Sequence, residues 1–179
     1  MYKTDILVIN PGSTTTKIGL FRNLELVFEE TLTHDPDKLL AYGTIGAQLP
    51  YRAEVIRKIL DEKNYDTTLL KAVVGPGGGY RVNPALCEAM KSPENPQHAS
   101  SLGALLAYEI AEALDIPSFI YDSTMGCELS EVAKVSGLSG IERYGCYHVL
   151  NARAQAMNYA ARIGKSYKEL NLLVCHMGG

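Results

Sequence analysis

No stretch of this 179-residue chain reaches the roughly 20 consecutive apolar residues that a membrane-spanning helix needs. A membrane partner is therefore not expected. Positive charge is not in excess either: the net charge is -3, which leaves no basic footprint for nucleic acid. The four cysteines, Cys87, Cys127, Cys146 and Cys175, form no Cys-x-x-Cys pair. Thiols scattered in this way fit neither a zinc site nor a disulfide framework and behave as small buried hydrophobes. Low-complexity segments and fixed-period repeats are missing. The opening Met1-Tyr2-Lys3-Thr4-Asp5 runs straight into a strand-like segment without the apolar core of a secretory signal, so a cytoplasmic location is expected.

What is present is an ordinary globular composition, 46% hydrophobic and 21% charged, at a length that suits one domain or slightly more. Asp5 to Ile9 reads as a buried strand stopped by Asn10-Pro11-Gly12. Thr16 to Phe21 and Glu25 to Thr31 read as two more strands, too close in sequence for an intervening helix and hence antiparallel. Helical spacing of Val55, Ile56, Ile59 and Leu60 predicts a helix over 50–63. Ala72-Val73-Val74 is a short strand entering a glycine-rich loop. Helices are expected at 84–91, 99–114 and 149–163, a short one from a Ser130 cap to Gly137, and strands at 118–121 and 172–175.

The strongest local signal is Asn10-Pro11-Gly12-Ser13-Thr14-Thr15-Thr16-Lys17. Glycine lets backbone N–H groups approach an anion, the hydroxyls add donors, and Lys17 adds a point charge suited to phosphate. A polar hairpin turn with no ligand is the plainer alternative. A Walker A loop is excluded, because that motif places Gly before its Lys and a helix after it. Here Thr16 precedes Lys17 and a strand follows. A phosphate loop on a β-hairpin points to the actin-like kinases.

The segment Ile6 to Lys17 resembles the opening of the acetate and butyrate kinase family, most closely the butyrate kinases. Sugar kinases of the same superfamily usually carry Asp where Asn10 stands. The resemblance continues through Gln97-His98-Ala99-Ser100, Phe119-Ile120-Tyr121-Asp122, Arg143 to Asn151, and Asn171 to Gly179. It implies an α/β fold: a ribonuclease-H-like (actin-like ATPase) domain with a mixed sheet over 1–122, and over 123–179 a connector and the beginning of a second such domain. It implies ATP-dependent phosphorylation of a short-chain carboxylate to an acyl phosphate, or the reverse reaction making ATP. Cofactors would be ATP/ADP and Mg²⁺, and the full-length form a homo-oligomer.

Site residues carry over in the same way. Asn10, Gly12, Ser13, Thr14, Thr15 and Lys17 would bind the ATP phosphates, joined by Gly178 and Gly179 on the second phosphate turn. Asp122 and His176 would be catalytic, with Asp122 also holding the magnesium. His98 and Arg81 would contact the acyl substrate. Two departures stand out. Pro76 occupies the place where the butyrate kinases carry an Arg, and the chain stops at Gly179 before the adenosine-binding portion. Poor activity by this chain alone is therefore expected. The rival readings are a truncated, non-catalytic remnant and a sugar kinase of the same superfamily.

Overall fold

The computed structural model describes residues 4–76, 99, 101–121, 129–143 and 149–175. The chain divides into two compact units, 1–123 and 124–179. The first unit is built on five strands: β1 (Asp5–Pro11), β2 (Thr15–Arg22), β3 (Glu25–Thr33), β4 (Leu70–Pro76) and β5 (Ser118–Tyr121). Their order in the sheet is β3-β2-β1-β4-β5. β2 runs antiparallel to both β1 and β3, whereas β4 lies parallel to β1 and β5 parallel to β4. The C-terminal ends of β1, β4 and β5 therefore share one end of the sheet, where open α/β sheets generally bind ligands.

Helix α1 (Pro36–Leu40) starts from Asp35, whose carboxylate accepts from Asp37 N at 2.9 Å. Helix α2 (Leu49–Glu62) buries Leu49, Arg52, Ala53, Ile56 and Leu60, the single stripe its sequence spacing predicts. Helix α3 (Ser101–Glu112) is shorter than the expected 99–114 and packs on β4, β5 and β1. One core joins Leu7 and Ile9 of β1, Ile18 and Leu20 of β2, Val73 of β4, Ile56 of α2 and Leu102 and Leu106 of α3. Alternation along β1 puts Leu7 and Ile9 into this core and Asn10 outside it.

At the start of β1, Asp5 is buried and held on three sides. Arg22 donates to it through Nε (2.8 Å) and Nη2 (2.7 Å), and Tyr65 Oη donates at 2.8 Å. The fork matches the cross-strand register Asp5↔Arg22. It raises the Arg22 pKa, and burial together with the bond to Asp5 raises that of Tyr65. This end of the hairpin is thus locked, and its opposite end carries the Gly12 turn.

The second unit contains α4 (Glu131–Lys134), capped by Ser130, and α5 (Val149–Arg162). α4 ends before the expected Gly137, because Val135 leaves the helix to pair with Glu142. α5 stops as expected at Gly164, whose φ of +69° suits only glycine at low cost. Ala156 and Ala160 are buried, and Ser166 with Glu169 forms a capping box on a short 3-10 turn. Two expectations fail here. Residues 172–175 form no strand, since a strand needs a ladder partner and none of the described residues supplies one. Cys175 is exposed rather than buried. The helix expected at 84–91 lies outside the described residues. Among those described, no helix is long and apolar enough to cross a membrane.

Candidate functional site

The turn between β1 and β2 is organised by its carbonyl groups. Gly12 N donates to Thr15 O at 2.8 Å, which closes the turn. A Cβ on residue 12 would sit 2.9 Å from Thr15 Oγ1, so the tight approach favours glycine. Arg52 of α2 donates to Gly12 O (3.0 Å), Ser13 O (2.8 Å) and Thr15 O (2.9 Å). The remaining carbonyl, Thr14 O, accepts from His34 N at 2.8 Å. Every carbonyl of 12–15 is thereby drawn towards the protein. The N–H groups of Ser13 and Thr14 make no hydrogen bond with the described residues, and both residues are exposed. N–H groups without a partner among the described residues, on exposed residues that also carry hydroxyls, suit an anion.

Asn10 and Lys17 face each other directly across β1 and β2, next to the turn. Both lie on the sheet face away from the Leu7 and Ile9 core, since both are exposed positions in the alternation. Lys17 Nζ sits 2.9 Å from Glu29 Oε2 of β3, with both side chains about half exposed. An exposed pair of this kind is weak and leaves Lys17 able to turn to another anion.

Behind the turn lies a buried polar network. Thr16 Oγ1 accepts from Arg52 Nη1 at 3.0 Å and lies 2.8 Å from His34 Nε2. On the other side of the ring, His34 Nδ1 lies 3.4 Å from Tyr51 Oη. Burial, with Arg52 and Lys38 nearby, lowers the His34 pKa to about 4, so the ring is neutral at pH 7. Gln48 Oε1 accepts from Arg52 Nε (3.1 Å) and Nη2 (3.0 Å). The sequence reading missed Arg52, His34 and Gln48. For Arg52 a signal existed: a cation stands in the apolar stripe of α2, flanked by Leu49, Ala53 and Ile56.

The end of β4 lies at the same end of the sheet as the turn. Pro76 packs so closely on α3 that a Cβ at Gly103 would meet its Cδ at 2.2 Å. β5 ends there too, at Tyr121, register partner of Pro76. Asn10, Gly12, Ser13, Thr14, Thr15 and Lys17 are thus brought together on one hairpin. Arg81, His98, Asp122, His176, Gly178 and Gly179 lie outside the described residues. No three His, Cys, Asp or Glu side chains gather into a metal-holding group among those described.

An antiparallel three-strand meander extended by parallel strands, with its polar hairpin at the C-terminal end of β1, is the α/β arrangement expected of an actin-like ATPase domain. Among solved structures the chain is similar to the acetate kinase of Porphyromonas gingivalis, with a TM-score of 0.55 and 17% identity over 92% of this chain and 50% of that one. It is likewise similar to a propionate kinase of Francisella tularensis, with a TM-score of 0.55 and 14% identity over 90% and 50%. At such identities the likeness shows the fold alone.

Sequence comparison is more specific. The chain is 45% identical over 182 residues to a "Probable butyrate kinase" of Clostridium botulinum, covering 97% of this chain and 51% of that protein. It is 42% identical over 187 residues to "Butyrate kinase 1" of Clostridium acetobutylicum, covering 100% and 52%. No protein-family model matches the chain. The chain is similar to these butyrate kinases along nearly its whole length, and it spans about half the length of the curated relatives it matches.

Proposed function

We propose that this chain serves phosphoryl transfer between ATP and a short-chain carboxylate, giving an acyl phosphate and ADP or running in reverse to make ATP. Butyrate is the first candidate substrate because the curated relatives are named for it; acetate or a branched-chain acid would suit the same chemistry. The observation that carries the reading is the exposed turn, with two N–H groups that have no partner among the described residues, its hydroxyls, and the Asn10–Lys17 pair beside it. In this reading Asn10, Gly12, Ser13, Thr14, Thr15 and Lys17 hold the phosphates. Transfer of this kind needs positioning and charge neutralisation more than covalent chemistry by the protein.

The other roles follow the family resemblance. Asp122 and His176 would act at the transferring group, Gly178 and Gly179 on a second phosphate turn, and His98 and Arg81 at the acyl substrate. Magnesium, when bound through phosphate oxygens and the Asp122 carboxylate, would neutralise charge on the nucleotide. The division into units 1–123 and 124–179 supports a ribonuclease-H-like domain over 1–122 followed by the start of a second domain. We place the protein in the cytoplasm. A second reading, phosphate binding without turnover, is favoured by Pro76. Its ring is fixed against Gly103 where the resemblance calls for an arginine.

The test is a titration of the chain with ATP and Mg²⁺, followed by two-dimensional amide spectra. The Ser13 and Thr14 amides are expected to shift with ATP and not with adenosine. Hydroxylamine trapping of acyl phosphate in the presence of butyrate reads turnover in parallel, expected to be small for this chain. Shifts that avoid residues 10–17 would remove the phosphate reading.

A further inference from the structure

Arg52 is completely buried, yet no carboxylate pairs with it among the described residues. That is unusual, because buried charges are normally matched by an opposite charge. Its five N–H groups are all engaged, and every acceptor is neutral: Gly12 O, Ser13 O, Thr15 O, Thr16 Oγ1 and Gln48 Oε1. The neighbouring imidazole, His34, is neutral as well. Satisfying the guanidinium with dipoles therefore solves the hydrogen-bonding problem but leaves one whole positive charge beneath the turn.

We propose that Arg52 is the positioning residue of the phosphate turn, with two separable effects. Its hydrogen bonds draw the carbonyls of Gly12, Ser13 and Thr15 inward, which leaves the Ser13 and Thr14 N–H groups facing out. Its uncompensated charge holds a positive potential under the place where an anion would sit. The inference rests on the proposed phosphate role of the turn. It names a residue on α2, outside the hairpin, that the anion need not touch. Burial lowers the Arg52 pKa, but arginine keeps its proton at any pH a protein tolerates, so the charge persists. Low dielectric around a buried cation also extends its reach compared with an exposed lysine such as Lys17.

The discriminating variant is Gln48→Glu. Gln48 Oε1 already accepts two bonds from Arg52, so a carboxylate there keeps both and cancels the charge, while giving up the bond that Gln48 Nε2 donates to Leu39 O at 3.4 Å. The probe is inorganic tripolyphosphate, titrated calorimetrically into the 179-residue chain and its variants, with thermal melts recorded alongside. Gln48→Glu is expected to keep its fold, the new ion pair offsetting the lost bond to Leu39 O, and to bind tripolyphosphate about 10-fold more weakly, the scale of one charge-assisted interaction. Arg52→Lys, which keeps the charge but has fewer donors for the carbonyls of Gly12, Ser13 and Thr15, reads the first effect: it is expected to lose melting temperature and to bind about threefold to 10-fold more weakly. If affinity simply tracked stability across the variants, or if folded Gln48→Glu bound as tightly as wild type, the charge role would be overturned. A folded Arg52→Lys that bound as tightly as wild type would overturn the orienting role of the hydrogen bonds. A wild-type chain that binds no tripolyphosphate would instead remove the phosphate reading of the turn, and this inference with it.

Discussion

Substituting Gly103 by alanine opposes two local effects whose magnitudes differ enough to set the sign. Gly103 lies within α3, where replacing glycine by alanine favours the helix by up to about 1 kcal/mol. The added Cβ would stand 2.2 Å from Pro76 Cδ, 2.5 Å from Cγ and 2.9 Å from the Pro76 nitrogen. None of these atoms can step aside. The ring is tied to its backbone, and β4 is paired with β1 on one side and β5 on the other. The contact is reciprocal, since a Cβ on Gly75 would meet Gly103 O at 2.1 Å. Relief requires α3 to lift from β4, which disturbs Leu102 and Leu106 in the core. Overpacking of this kind costs about 1–3 kcal/mol and can cost more. Contacts of 2.2 and 2.5 Å put the cost at the upper end of that range, so Gly103→Ala is expected to destabilise the fold by about 2 kcal/mol after the helix gain is subtracted. Urea unfolding followed by circular dichroism measures the change. The double variant Gly103→Ala, Pro76→Gly should recover about 1 kcal/mol relative to the sum of the single changes, because the two closest clashing atoms are gone. A Gly103→Ala chain as stable as wild type would mean that α3 and β4 do not approach this closely.

Three further outcomes are expected. Tyr65→Phe removes one donor from the buried Asp5 carboxylate and should cost about 1–2 kcal/mol in urea unfolding, with the Arg22 fork left in place; no change would show that the hydroxyl does not reach Asp5. His34 is neutral in the folded chain down to about pH 4, whereas an unfolded histidine takes its proton near pH 6.5. Its contribution is therefore fully present above about pH 6.5 and is lost as the pH falls from there to about 4. After discounting for solvent screening the loss is about 1–2 kcal/mol. Wild type should lose that much more stability than His34→Gln between pH 7 and 4.5, and parallel losses would show that His34 does not titrate this way. Lys17→Ala should change unfolding free energy by less than about 0.5 kcal/mol, because its pair with Glu29 is exposed, while weakening binding of tripolyphosphate. A stability loss above 1 kcal/mol by the same measure would make Lys17 structural.

The local parts of this molecule were legible in order. Alternating burial and an Asn-Pro-Gly stop suffice to write β1, the turn and β2, because a hairpin needs only contacts between residues near in sequence. The stripe of α2 and the Gly164 stop of α5 are local for the same reason. The resemblance to butyrate kinases could also be read from the chain, since it rests on short motifs whose residues stand together. Long-range packing decided the rest. Arg52 is an unremarkable cation in sequence and becomes the organiser of the turn only when α2 docks beneath residues some 40 positions earlier. Gly103 and Pro76 read as a helix residue and a loop residue until the parallel β4 brings them to contact. Residues 172–175 show the converse. Their apolar run has every local property of a strand, but a strand exists only where another backbone offers its N–H and C=O groups, and no described segment does so.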